Sequence, residues 1–244
     1  MATENDVRFS IPLYTIPQAA RDVRVPESTY YKWVKGYRAS PVAGGADSAR
    51  IAEPVIASIP PEKRGWPSVP FVGLAESMVL AAFRKSGVSL QHIRRVIDVL
   101  SNEVGLEYAL ASERLYSDGA AILFDYTQHR GLEADETEEL QGLTRVVDGQ
   151  RVFADVVRGY LERIVYANDG WAGSLMLPVG DRPLLSVRPD QAGGTPLFVR
   201  GGAPLEQVLA RWQAGERIAE LAQDFEVPPE DLEDALRSAL PAAA

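Results

Sequence analysis

The chain has 244 residues, no cysteine and only two histidines, His92 and His129. This composition excludes disulfides and thiolate metal sites and leaves almost nothing from which to build a histidine cage or catalytic triad. The apolar runs are too short to cross a bilayer and no secretory leader is recognisable. We therefore expect a cytoplasmic protein without membrane contact, metal site or cofactor.

The net charge of −9 hides an asymmetry between the two ends of the chain. Residues 1–100 hold 13 Lys and Arg against 9 Asp and Glu, a net +4, whereas residues 101–244 hold 12 against 25, a net −13. Binding to nucleic acid gains most of its free energy when cations displace counterions from phosphates. The charges therefore predict a nucleic-acid partner for the N-terminal part only.

Residues 15–37 predict two short helices joined by a turn. Apolar residues recur at helical spacing on the inner face of both helices, and Pro26 suits the first turn of the second one. The small Ala19 and Ala20 allow the helices to approach closely. The inner stripes are Ile16, Ala19, Ala20 and Val23 in the first helix and Tyr30, Trp33 and Val34 in the second.

The outer face of the second helix carries the side chains expected of a DNA-reading helix-turn-helix. Hydroxyl groups near the helix start can reach base edges, and lysines further along suit phosphates. The predicted DNA contacts are Ser28, Thr29, Tyr31, Lys32, Lys35 and Arg38. A helical hairpin with a solvated polar face is the structural alternative.

The middle of the chain alternates Gly- and Pro-rich segments with helical patterns. Residues 38–70 predict an extended loop or wing. Leu74, Met78, Ala81 and Ala82 mark one amphipathic helix, and a second follows to Leu100. We predict helices at 106–115 and 155–165, strands at 120–126, 175–177 and 184–187, a hairpin at 145–153 and a linker at 190–195. Three helices at 204–214, 218–224 and 229–240 close the chain.

The C-terminus repeats the N-terminal pattern. Residues 16–36 align without gaps onto residues 218–238, with Ile16 on Ile218 and Val25–Pro26 on Val227–Pro228. Acids replace the hydroxyls and lysines of the outer face, which predicts that this second unit contacts a basic protein or a second subunit instead of DNA. A merely solubilising face is the alternative. The predicted partner-binding residues are Glu230, Asp231, Glu233 and Asp234.

Residues 14–37 (YTIPQAARDVRVPESTYYKWVKGY) resemble the opening helices of MerR-type winged regulators, which read DNA as dimers. Residues 71–100 resemble that group's second helical pair, and the tail from Gly194 resembles a three-helix domain of unknown function. Together the segments resemble VapB-like antitoxins, which pair with PIN-domain ribonuclease toxins. The sustained heptads and the thiolate site of MerR-type activators are absent from this sequence.

We therefore predict a mainly α protein of three modules. Residues 1–100 form a winged helix-turn-helix of MerR type, residues 101–190 an α/β connector, and residues 191–244 a three-helix module for dimerisation or toxin binding. The resemblance implies a non-enzymatic, homodimeric antitoxin that blocks a PIN-type toxin and represses its own operon at operator DNA.

Two other functions remain open at this point. One is a MerR-like regulator that senses a small ligand through Trp171, Tyr160 and Tyr166. The other is an enzyme using carboxylates such as Asp125 and Asp155, although no base, metal or cofactor motif accompanies them.

Overall fold

The computed structural model describes residues 6–39, 50–85, 90, 93–94, 97–98, 101, 105–115, 159, 162–180 and 182–239. In this part of the chain we number the helices α1 (Val7–Ser10), α2 (Ile16–Asp22), α3 (Glu27–Lys35), α4 (Phe71–Lys85), α5 (Leu205–Gln213), α6 (Ile218–Phe225) and α7 (Pro229–Ala239). The strands are β1 (Pro12–Tyr14), β2 (Tyr37–Ala39), β3 (Arg50–Ala52), β4 (Val69–Pro70), β5 (Ile164–Tyr166), β6 (Ala172–Val179), β7 (Arg182–Val187) and β8 (Leu197–Phe198). The predicted strand at 120–126 and hairpin at 145–153 lie outside the described residues.

The two helices predicted in residues 15–37 are confirmed as α2 and α3. Thr15 begins α2 with a capping box, in which its hydroxyl accepts from the Gln18 N–H and the Gln18 side chain accepts from the Thr15 N–H. Ala19 and Ala20 of α2 are buried where α2 packs against α3. On α3, Trp33 and the other apolar residues of the inner face are buried as well. The predicted core of the N-terminal unit is therefore correct.

Helix α4 is the centre of the N-terminal core. Its predicted helical pattern is confirmed, but every residue from Phe71 to Phe83 is buried, so the helix has no solvated face in this range. Gly73 lets the chain at Ala57 lie directly against the helix, because a Cβ at this position would stand 2.3 Å from the Ala57 carbonyl oxygen. Only a glycine fits this crossing.

Two short strand pairs join the N-terminal elements. Antiparallel pairing of β1 with β4 places α4 beside the first helix-turn-helix. Strands β2 and β3 pair antiparallel with Arg38 opposite Ile51, so a β-hairpin follows α3 directly. The segment predicted as a loop or wing therefore contains ordered strands at its start and at its end.

A four-stranded antiparallel sheet in the order β5-β6-β7-β8 follows in the chain. It confirms the strands predicted at 175–177 and 184–187, which extend into β6 and β7. Pairing of Ser186 with Leu197 joins β7 to β8, so the boundary predicted between residues 190 and 191 falls inside this sheet. With this sheet, the described chain is mixed α/β, and the prediction of a mainly α protein is corrected.

Three local predictions are wrong for the same reason, namely that tertiary contacts decide the backbone. Ile164 and Val165, predicted to end a helix, lie in β5. The helix predicted at 106–115 is interrupted: Ala109–Ala111 form a short 3₁₀ helix, and an α-helical turn begins only at Glu113. The predicted linker at 190–195 folds into a 3₁₀ turn in which Gly194 is buried.

The three C-terminal helices are confirmed to within a residue or two as α5, α6 and α7. The internal repeat extends to the backbone. Arg24 and Glu226, which correspond in the alignment, both adopt the left-handed region, with φ of 56° and 53°. The next residue in each unit donates its N–H to an equivalent carbonyl, Val25 to Ala20 and Val227 to Ala222. The same turn is therefore built twice.

None of the helices in the described ranges is long and apolar enough to cross a membrane.

Candidate nucleic-acid interface

The outer face of α3 presents most of the predicted DNA-binding side chains to solvent. Ser28, Lys32 and Lys35 are exposed, Tyr31 is 54% exposed and Thr29 is half-buried. Arg38 lies in β2, immediately after the helix. The helix and the hairpin that follows it thus carry the whole predicted set on consecutive elements.

The inner face of α3 holds that outer face in place. The Tyr30 hydroxyl donates to Ser77 Oγ at 3.2 Å, and Ser77 in turn donates to the Leu74 carbonyl in α4. At the far end of α3, the Val55 N–H donates to the Trp33 carbonyl at 2.9 Å. Burial raises the pKa of the Tyr30 phenol above its ordinary range, so this hydroxyl stays a donor at all working pH values.

Contacts with the C-terminal part of the chain anchor the first helix-turn-helix. Arg24 lies in the turn between α2 and α3. Its guanidinium donates to the Pro178 carbonyl at 2.8 Å and to Ser238 Oγ at 2.7 Å. The Tyr14 hydroxyl donates to the Gly194 carbonyl at 3.0 Å in a buried contact. The first helix-turn-helix and β1 before it are thereby fixed to β6, to α7 and to the 3₁₀ turn.

Asp22, at the end of α2, lies close to the negative charge of Glu206 in α5. The pKa of the Asp22 carboxyl is raised to about 7, mainly by burial and to a smaller extent by the charge of Glu206, while Arg21 opposes the shift. The equivalent residue of the second unit, Asp224, is exposed and accepts from the Arg211 guanidinium at 2.6 Å. The two equivalent carboxyls therefore differ in environment: that of Asp22 is buried and its ionisation is disfavoured, whereas that of Asp224 is exposed and paired with an arginine.

The acidic face of the second unit is largely engaged within the chain. Asp231 is 2% exposed, and it accepts from Arg182 at 2.6 Å and from Arg200 Nε at 2.8 Å. Arg182 also donates to Asp234 at 3.0 Å. The prediction that all four acids face outward is therefore wrong for Asp231, because two arginines from the sheet side of the module cover it.

Sequence reasoning did not identify Arg182 and Arg200 as partners of these acids. Both come from or near the sheet, Arg182 from β7 and Arg200 from the turn after β8. Helical periodicity compares residues within one element and carries no information on which strand lies beside it. The acids left most accessible are Glu230, whose side chain is 61% exposed, and Glu233.

Of the residues proposed for a ligand pocket, Trp171 and Tyr166 are partly buried and pack against the hydrophobic core. Trp171 packs edge-on against Phe9, with ring centroids 5.9 Å apart, and edge-on against Tyr108 at 6.2 Å. Its ring therefore fills the contact between α1 and the start of β6. Tyr160, Asp125 and Asp155 lie outside the described residues.

Both helix-turn-helix units coincide with regions shared with other proteins. Residues 12–97 match the family described as "Putative DNA-binding HTH domain", and residues 185–239 match the one described as "Protein of unknown function (DUF433)". Over 233 residues the chain is 35% identical to "Putative antitoxin VapB45" of Mycobacterium tuberculosis, with 96% of each protein covered. The chain belongs to the VapB45-like antitoxin family.

A solved structure shares the fold of nearly the whole chain. The crystal structure of Rv2018 from Mycobacterium tuberculosis superposes with a TM-score of 0.73 at 30% identity, and covers 94% of this chain and 99% of that one. The resemblance to VapB-like antitoxins stated from the sequence is thus confirmed, and so is the C-terminal domain of unknown function. The MerR-type character of the N-terminal unit stays a prediction.

Proposed function

We propose that this protein is an antitoxin that binds operator DNA through α3 and the β2–β3 hairpin, and that it blocks a ribonuclease toxin. The observation that carries the proposal is the contrast between the two helix-turn-helix units. In the first unit, the outer face carries exposed hydroxyls and lysines. In the second, the equivalent Asp231 and Asp234 accept from arginines of the same chain.

DNA binding by the first unit follows from its charge and shape. An α-helix fits the major groove, where Ser28 and Thr29 at its start would meet base edges. Lys32 and Lys35 on the last turns would meet phosphates. The adjacent hairpin then acts as the wing of a MerR-like winged helix-turn-helix. Arg38 lies in its first strand. Two copies of the chain would read an operator with two half-sites.

Toxin capture is assigned to the C-terminal module. The chain belongs to a family named for an antitoxin, and its C-terminal part carries the excess of negative charge. A ribonuclease must bind RNA phosphates, and any basic surface that it uses for this purpose would be attracted by exposed acids. Glu233 is exposed, and Glu230 is exposed with one long contact of 3.5 Å to Arg200, so both can take part in that contact, whereas Asp231 is buried under two arginines. Bound toxin and operator together would let the protein repress its own operon without any catalytic step.

The DNA assignment is tested with Lys32→Ala plus Lys35→Ala. Affinity for the duplex upstream of the gene and for a random duplex of equal length should fall together, and the slope of log K against log salt should drop by about 2 units. Arg237→Ala is the matched control, because Arg237 occupies the position of Lys35 in the second unit and should leave affinity unchanged. Equal affinity of the lysine variant and the parent would refute the assignment.

The toxin assignment is tested by co-expression of the full chain with the product of the neighbouring gene. The two should co-purify, and the complex should lack the ribonuclease activity of the free partner. Glu230→Lys plus Glu233→Lys should weaken this complex and leave DNA affinity intact or slightly higher. No co-purification with the parent chain would overturn the toxin assignment and leave DNA binding untouched.

A further inference from the structure

A protruding loop, residues 59–68, lies between β3 and α4 and has no role in the interface described above. Its ends are tied together, because the Ile59 N–H donates to the Ser68 carbonyl at 2.8 Å. A second hydrogen bond, from the Trp66 N–H to the Lys63 carbonyl at 3.1 Å, shapes its tip. The loop is thus a closed and defined structure.

The tip presents two cations and one large aromatic ring. Lys63 and Arg64 are exposed, and Trp66 is 49% exposed. The Lys63 ammonium stands 5.1 Å from the centre of the Trp66 ring, so it partly covers one face of the ring. The buried half of this side chain contributes to the fold, whereas the exposed half leaves apolar surface on which a partner can pack. The combination of cations with a free ring suits a sugar–phosphate backbone, which offers charge and apolar sugar faces side by side.

The base of the loop is attached to the far end of α3. Val55 and Ser58, just before the loop, donate to the carbonyls of Trp33 and Val34, at 2.9 Å and 3.5 Å. Ser68, at its other end, donates its N–H to the Tyr14 carbonyl at 2.9 Å. The loop therefore leaves the body beside the last turn of α3, where Lys35 is exposed.

We propose that residues 59–68 form a second DNA contact, in which Lys63 and Arg64 bind phosphates and Trp66 packs on the sugar–phosphate backbone next to them. The proposal rests on DNA binding by α3 and extends that interface along the backbone beyond the major groove. Because it reads no base edges, the loop contributes affinity equally on operator and on unrelated sequence.

The test compares Lys63→Ala plus Arg64→Ala with the Lys32→Ala plus Lys35→Ala variant, both in the full chain. The loop variant should bind operator and random duplexes about 50-fold more weakly at 0.1 M salt, with a salt slope lower by about 2 units. Lys63→Arg plus Arg64→Lys should restore the slope. All substituted side chains are exposed, and an unchanged unfolding midpoint verifies that the fold is intact.

Trp66 provides an independent readout. Iodide should quench its fluorescence in the free protein, and added duplex should protect it; Trp33 is buried, and the half-buried Trp171 and Trp212 give a background that the Trp66→Phe variant measures. The Trp66→Phe variant should lose the DNA-dependent protection. Persistence of the full protection in Trp66→Phe would overturn the assignment of the ring.

The outcomes separate this proposal from the proposed function. Weaker binding by the α3 variant with parental binding by the loop variant would overturn the loop contact and leave the antitoxin assignment standing. Parental binding by both variants would overturn both. A loop variant that binds DNA normally but loses the co-expressed toxin would likewise overturn the loop contact, because its partner would then be a protein.

Discussion

Glu76 is a carboxylic acid in the middle of the buried helix α4, and its ionisation should set the pH dependence of stability. It is 5% exposed, and its Oε2 accepts from the Ala57 N–H at 2.7 Å. Burial raises its pKa from an ordinary 4.5 to about 8, although the bond from Ala57 opposes this shift. Between these two values the folded chain holds a proton that the unfolded chain releases.

Rising pH therefore favours unfolding over this range. The free energy of unfolding should fall by about 1.4 kcal/mol for each pH unit well below pH 8, and by about 2.3 kcal/mol between pH 6 and pH 8, because the slope halves where Glu76 is half ionised in the folded chain. Glu76→Gln keeps an acceptor for the Ala57 N–H but cannot ionise. Its free energy of unfolding should lack this loss, so the variant should gain on the parent by about 2.3 kcal/mol between pH 6 and pH 8.

Urea unfolding followed by circular dichroism at pH 6, 7 and 8, at constant ionic strength, measures the effect. Glu62→Gln is the matched control, since Glu62 is exposed in the same domain. Asp22, with a pKa raised to about 7, adds a slope of the same sign below that pH in the parent and in both variants, so it cancels in the comparison. A parental pH slope in Glu76→Gln would refute the reasoning.

Two further substitutions test how the C-terminal part is held. Gly194→Ala should cost at least about 2 kcal/mol more than Gly193→Ala in thermal or urea unfolding, because both have positive φ but only Gly194 would place a Cβ 2.4 Å from the Tyr14 hydroxyl. Equal costs of the two substitutions would contradict this prediction, because they would mean that the Tyr14 side chain moves aside without loss of stability. Asp231→Ala should cost about 2 kcal/mol, below the usual 3–5 kcal/mol for a fully buried pair, since Arg182 and Arg200 keep half their surface in water. Glu233→Ala should stay within about 0.5 kcal/mol of the parent, and similar losses in the two variants would contradict the burial of Asp231.

The local parts of the fold could be predicted from the sequence. In residues 15–37 and 204–240, the apolar spacing, the turn residues and the prolines predict the helices, because all of these signals act within a few positions along the chain. The repeat was visible for the same reason, because Val25–Pro26 and Val227–Pro228 mark one turn used twice. The exposed set on α3 also follows from periodicity alone.

The non-local parts could not be predicted in this way. The pairing of β7 with β8 depends on residues that meet only after the chain folds, and Gly194 lies in a segment whose composition is typical of linkers. The acids of α7 have the same spacing whether water or arginines cover them, so Asp231 was assigned to the surface. The pattern of a single helix also cannot distinguish α4, buried on all sides, from a helix at a surface.

The contacts of Arg24 and Tyr14 have a consequence for the operator. They fix the unit that contains α3 to the sheet and to the last helix, so α3, in the DNA-reading role proposed for it, would not reorient independently of the rest of the chain. In a dimer, the separation of the two reading helices would then be a fixed length of the protein. Such a molecule measures the distance and the rotation between half-sites, and one inserted base pair, which turns the second half-site by about 35°, would abolish joint binding.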